Sequence, residues 1–245
     1  MNKIEFFSVR HGQDDSSYID GRFDTHLTRY GMVTAEETGK KLQRLVGDNS
    51  DTVNIISSTK KRTLETSEII ANHLRGVNVN LIEDPRICEL YQGAIIDVDK
   101  RSYHEKADEL KVAWSNFNAQ FLGGNIDYRF GDPSKDYRLN NFIRSPYGEN
   151  QREYLLRIYK FFMGFIAAHK DNEANIIVAH NATAAVFQKI NLSYKNKMDI
   201  SNTTHRHLNY GDFIKISLDD ATLCNRALSK KVIELSLNKK IDGVE

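Results

Sequence analysis

The chain has 245 residues, 40% of them apolar and 27% charged, enough to bury a sizeable core at the upper end of single-domain size. Lys and Arg total 34 against 33 Asp and Glu, so no global charge excess points to nucleic acid, an anionic membrane or a polybasic partner. Two cysteines, Cys88 and Cys224, are too few for a disulfide framework; with no leader-like start and no run near the roughly 18 apolar residues of a membrane span, a cytoplasmic protein with reduced thiols is expected.

Ile4 to Val9 is a short apolar run that breaks into Arg10-His11-Gly12, which predicts a buried strand delivering a polar tip. From Thr28 to Leu45, the residues Val33, Ala35, Leu42 and Leu45 predict one apolar helix face, with Thr28 as its cap. Val53 to Ile56 reads as a second strand, ending in Ser57-Ser58-Thr59-Lys60-Lys61-Arg62 and followed by a helix through Leu64, Ile69, Ile70 and Leu74. Between Gln92 and Tyr147 the periodicity weakens, apart from an amphipathic stretch from about Asp99 to Phe117 carrying Trp114. That segment, 92–147, reads as an excursion over the sheet within one domain spanning 1–245, and its aromatic residues would form a small core or line a lid. Glu149 to His169 is the strongest helix pattern; Asn175 to Ala179 is a strand that ends at His180 and runs into an Ala-rich helix to about Ile190. Phe213 to Ile216 and Val232 to Leu235 read as strands. Strands thus alternate with helices, and three strand-to-helix junctions end in His or Arg, where an α/β fold carries its chemistry.

Those junctions hold groups suited to phosphoryl transfer, which needs an in-line nucleophile, cationic donors on the equatorial oxygens and an acid for the leaving oxygen. A neutral imidazole such as His11 can attack phosphorus, and the adjoining Arg10 is a permanent cation with planar donors. Neighbours on a regular strand point to opposite faces, so the two converge only where the strand ends and bends, which Gly12 permits. Arg62 opens a helix, whose free N–H groups would reinforce a phosphate site. His180 would donate to the phosphate oxygens as a cation or orient the phosphoryl group.

In this arrangement the sequence resembles the histidine phosphatase superfamily, which also contains cofactor-dependent phosphoglycerate mutases. The resemblance rests on Arg10-His11-Gly12, the Gly21 to Gly31 segment, Ser58 to Thr66, Glu89 with Gly93, Tyr147-Gly148-Glu149-Asn150 and Val178-Ala179-His180, in the family's order. It implies a three-layer α/β sandwich with a mostly parallel central sheet flanked by helices. It also implies that His11 takes the phosphoryl group while Arg10, Arg62 and His180 hold and neutralise it. Glu89 would protonate the leaving alcohol and later activate water, and neither a metal nor another cofactor would be needed. The implied partner is a small phosphorylated organic molecule, with phosphate-monoester hydrolysis as the net reaction.

Departures from the family pattern lie after Gly12, where Gln13-Asp14-Asp15-Ser16-Ser17 lacks the Asn that touches phosphate. Ser17 is the substitute hydroxyl donor, and Asp14 and Asp15 are expected to face away from the phosphate. Asn181 stands where the family usually has Gly, and Thr203 or Thr204 would approach the pocket. Mutase-type phosphotransfer remains an alternative, as does a non-catalytic phosphate-binding protein; paired arginines suited to a phosphoglycerate carboxylate are missing around Trp114. His205-Arg206-His207 has a spacing that puts two imidazoles on one strand face, but no Cys or carboxylate cluster accompanies it.

Overall fold

A computed structural model describes residues 3–15, 24–46, 50–89, 151–196 and 207–219. The chain divides into two compact units, Met1–Leu90 with Glu153–Glu245, and Tyr91–Arg152. The sheet lies in the first. The expected excursion over 92–147 and the expected strand at Val232 to Leu235 fall outside the described residues, as do Cys224 and Trp114.

The described elements run β1 (Lys3–Arg10), α1 (Arg29–Val46), β2 (Thr52–Ser57), α2 (Lys61–His73), β3 (Asn78–Glu83), a short 3₁₀ turn (Pro85–Ile87), α3 (Gln151–Ala168), β4 (Glu173–Ala179), α4 (Asn181–Asn196) and β5 (Phe213–Asp219). The strands form one sheet in the order β3-β2-β4-β1-β5, parallel except for β5, which runs antiparallel to β1.

Period-two alternation along the strands sends successive side chains to opposite faces, and helices cover both. On one face Phe6, Ile56 and Ile177 pack with Ile158, Phe161, Phe162 and Phe165 of α3 and Phe187 of α4. On the other, Phe7, Ile55 and Ile176 pack with Leu42 and Val46 of α1 and Ile70 of α2. Phe6 makes edge-to-face contacts with Phe162, Phe165 and Phe187, at ring separations of 6.2, 5.3 and 5.5 Å. Truncating such a ring costs about 3–5 kcal/mol. The three-layer sandwich implied by the resemblance is therefore present, with a core on each face of the sheet. Among the described residues no helix is long and apolar enough to cross a membrane.

Three elements differ from the sequence expectation. Thr28 does cap α1, its hydroxyl accepting the Gly31 N–H at 3.0 Å, but the buried face is Gly31, Ala35, Thr38, Gly39, Leu42 and Val46. Val33 and Leu45 are exposed; at about 100° per residue, Val33 lies opposite Leu42. The inward face of α2 is polar, with Arg62, Thr63, Thr66 and Ser67 buried beside Ile70. Finally, β3 is an additional strand at the sheet edge. Its residues are almost all exposed, so it carries none of the alternation by which a half-buried strand is recognised.

Candidate active site

The parallel strands end on the same edge, and their registers bring the chemistry-bearing junctions together. Arg10 of β1 is paired with Ala179 of β4, and Ser57 of β2 with Val178. The next residues out are His11, His180 and Ser58, tied down by backbone bonds from His11 N–H to the Ala179 carbonyl (3.0 Å) and from Ser58 N–H to the Val178 carbonyl (3.1 Å). The turn after His11 presses on the start of α1. A Cβ on Gly12 would lie 2.4 Å from the Gly31 carbonyl oxygen, and one on Gly31 would lie 2.0 Å from that of Gln13. Both positions need glycine for close backbone approach. The Gly12 N–H donates to Thr66 Oγ1 at 3.1 Å, which fixes the turn to α2.

Arg62 stands between the two histidines. Its Nε donates to His11 Nε2 at 3.2 Å, and its terminal Nη2 to His180 Nδ1 at 3.3 Å. The imidazole rings lie 5.2 Å apart. Arg62, His11 and His180 are only 1%, 5% and 0% exposed. The partners fix both tautomers. A guanidinium only donates, so His11 Nε2 and His180 Nδ1 carry lone pairs; the protons sit on His11 Nδ1, which donates to the Gly12 carbonyl at 2.8 Å, and on His180 Nε2, which donates to Ser58 Oγ at 2.9 Å. Burial, reinforced by the Arg62 charge, pushes the His11 pKa down to about 3. Burial and then Arg62 also hold His180 well below the usual histidine range. Both imidazoles are thus neutral at pH 7, and His180 is not the resting cation that sequence reading allowed.

Arg10 is partly buried, its Nη1 donating to the Leu208 carbonyl at 2.7 Å while the guanidinium lies 3.9 Å above the centre of the Tyr210 ring. Tyr210 in turn lies 5.6 Å from the His11 ring. Glu89 reaches the same cluster, with Oε2 at 3.8 Å from His180 Nδ1. Its loop is held by Arg157 of α3, which donates to the carbonyls of Arg86 (2.6 Å), Cys88 (3.1 Å) and Glu89 (3.3 Å). Cys88 faces Ser58 Oγ at 3.3 Å and Thr59 Oγ1 at 3.2 Å.

Arg10, His11, Arg62, Glu89 and His180 are therefore brought together. Ser17, Thr203 and Thr204 lie outside the described residues, as do His205 and Arg206, and His207 is exposed. Asp15 is exposed as expected, but Asp14 corrects the expectation. It is 1% exposed and turned inward, with Oδ2 at 3.5 Å from Arg62 Nε and accepting the Thr25 hydroxyl at 2.6 Å. Burying the only fixed cation of α2's inner face calls for a nearby anion, and Asp14 supplies it. Asn181 opens α4 in helical conformation, and its Oδ1 accepts the Leu208 N–H at 3.2 Å. Sequence reading did not find Arg157 or Tyr210, and it named Thr66 without giving it a role. Only Thr66 left a signal, in the Ser58 to Thr66 segment; the others act across sequence separations that no local pattern records.

The family model of the histidine phosphatase superfamily (branch 1) matches residues 6–221. Among solved structures, a putative alpha-ribazole-5'-P phosphatase from Escherichia coli aligns at a TM-score of 0.60 and 16% identity, covering 89% of this chain and 91% of that one. The alpha-ribazole phosphatase from Shigella flexneri aligns at 0.58 and 17%, covering 89% and 92%. A mycobacterial glucosyl-3-phosphoglycerate phosphatase aligns at 0.54 and 17%, covering 86% and 88%. At these identities the likeness is one of fold. No curated protein matches the chain.

Proposed function

Because the chain belongs to the histidine phosphatase superfamily, we propose that it hydrolyses small organic phosphate monoesters through a phosphohistidine formed on His11. The observation that carries this reading is the state of His11: a neutral ring whose Nε2 lone pair faces Arg62, with the opposite nitrogen's proton anchored on the Gly12 carbonyl. A protonated histidine could not attack, and the low pKa keeps the nucleophile free at every ordinary pH.

In the first step Nε2 bonds to phosphorus as the ester P–O bond breaks. Positive charge then grows on the imidazole, and the Gly12 carbonyl, accepting from Nδ1, stabilises it. Arg62 is placed to exchange its bond with Nε2 for bonds to the equatorial oxygens, joined by Arg10, and by His180 once a proton on its Nδ1 turns that lone pair into a donor. Glu89 gives a proton to the departing alkoxide. In the second step Glu89, now ionised, takes a proton from water, whose oxygen attacks phosphorus and releases inorganic phosphate and free His11. The two guanidinium groups supply the charge neutralisation, so turnover should persist in a chelator. Solved structures of like fold are named as phosphatases of alpha-ribazole-5'-P and of glucosyl-3-phosphoglycerate, which supports hydrolysis over mutase-type transfer.

The test is release of phosphate from an aryl phosphate in the presence of EDTA, with sugar, nucleotide and glycerate phosphates run beside it. Turnover that vanishes in His11→Ala supports the reading. Isomerisation of phosphoglycerate without release of phosphate would replace it with a mutase.

A further inference from the structure

Asp14 is an unusual companion for an anion site. Its carboxylate is buried next to Arg62, the same guanidinium that touches His11 Nε2, so any phosphoryl group bound at Nε2 meets a negative charge two short contacts away. One oxygen, Oδ2, accepts from Thr25; among the described residues the other, Oδ1, has no hydrogen-bond donor although it is shielded from solvent. A buried acceptor without a donor is costly, and two anions in one low-dielectric pocket are costlier still. One added proton between Asp14 and a phosphate oxygen removes both penalties.

We propose that Asp14 makes the site bind its phosphoryl ligand together with one extra proton, shared between the Asp14 carboxyl and a phosphate oxygen, so that the site selects the monoprotonated phosphate. This deepens the phosphatase reading and rests on the same pocket. The proton comes from solvent; whether it starts on the ester's P–O–H or on the carboxyl, the complex has the same composition. The groups facing Asp14 are Arg62 from α2, His11 from the end of β1 and the Thr25 hydroxyl from the loop before α1. Beyond that loop, Glu65 accepts the Leu27 N–H at 2.7 Å and pairs with His26, while Asp24 accepts the Lys61 N–H at 2.7 Å. Of these anions, Asp14 is the one beside Arg62. Because a phosphate monoester loses its second proton near a pKa of about 6, the selection weakens binding as pH rises above that value.

The test is calorimetric titration of the full chain at about pH 8 with phenylphosphonate, a non-hydrolysable monoester mimic whose dianion carries no P–O–H of its own, in buffers of differing ionisation enthalpy, which counts the protons taken up on binding. The wild type should take up close to one proton more than Asp14→Asn. The variant should also bind the phosphonate at least roughly tenfold more tightly at that pH, because like-charge repulsion is gone, and no more tightly at about pH 5, where the phosphonate already carries the proton. Asp14→Ser serves as a second neutral variant if the first does not fold. Protons acquired by His11 or His180 would be taken up without need of Asp14. Equal uptake by wild type and variants, weaker binding by the variants at both pH values, or no phosphonate binding by any of them would overturn the inference. Asp14-dependent uptake in a chain that hydrolyses no ester would leave this inference standing and sink the phosphatase reading; turnover with Asp14-independent uptake would do the reverse.

Discussion

Keeping His11 neutral inside the fold has a thermodynamic consequence that can be measured without any substrate. In the folded chain its pKa is about 3, against 6.5 for an unperturbed histidine. Above pH 6.5 the ring is neutral in both folded and unfolded states and contributes no pH dependence. As pH falls below 6.5 the unfolded chain binds a proton that the folded chain refuses, so unfolding becomes easier, and the effect continues down to about pH 3. The slope is about 1.4 kcal/mol per pH unit, so lowering the pH from about 7.5 to about 5 removes roughly 2 kcal/mol through His11 alone. His180, fully buried and shifted in the same direction, adds to the loss. Ordinary carboxylates remain ionised in both states over most of this window, which isolates the histidines. The assay is urea denaturation at the two pH values for wild type and His11→Gln. The wild type should lose stability on acidification, and the variant should lose about 2 kcal/mol less. A wild type equally stable at both values, or a variant with an undiminished loss, would refute the claim that His11 is held neutral by its surroundings.

Further predictions concern the acid and the frame around it. Glu89→Gln should depress hydrolysis of alkyl phosphates far more than of aryl phosphates, since a good leaving group needs little protonation; equal losses on both would count against Glu89 as the acid. Arg157→Met, which frees the Arg86, Cys88 and Glu89 carbonyls, should lower kcat on alkyl phosphates by roughly tenfold to a hundredfold through misplacement of Glu89. As a positioning effect, it should leave KM nearly unchanged and should add little to the loss in Glu89→Gln, which a double-mutant cycle reads directly. Gly31→Ala puts a Cβ 2.0 Å from the Gln13 carbonyl oxygen; backbone must move, at a cost of about 1–3 kcal/mol or more in chemical denaturation, with activity falling because the His11 turn is displaced.

The parts legible in the sequence are those where a local pattern and a burial face coincide. Phe6 and Phe7, or Ile176 and Ile177, declare strands covered on both faces because each neighbour must find its own core. His11 and His180 follow directly on such strands, so their convergence follows once β1 and β4 are paired. Where burial and apolarity part company, sequence reading failed. The inner face of α2 is buried but polar, since Arg62, Thr63 and Thr66 serve the site, and the edge strand β3 is extended but scarcely buried. The inward turn of Asp14 was hidden for a related reason. An acidic residue in a polar loop reads as solvated unless the cation that requires it, 48 positions later at Arg62, is already known to be buried.

The central role given to His11 is tested most directly by acid-sensitive labelling. A short incubation with a ³²P-labelled phosphate monoester, quenched in alkali, should leave one phosphoryl group on the wild-type chain, stable in base and lost in mild acid, as a phosphorus–nitrogen bond requires. Peptide mapping should place it on His11, and His11→Ala should carry none. A label that persists in His11→Ala, or one that maps to another residue, would contradict the mechanism.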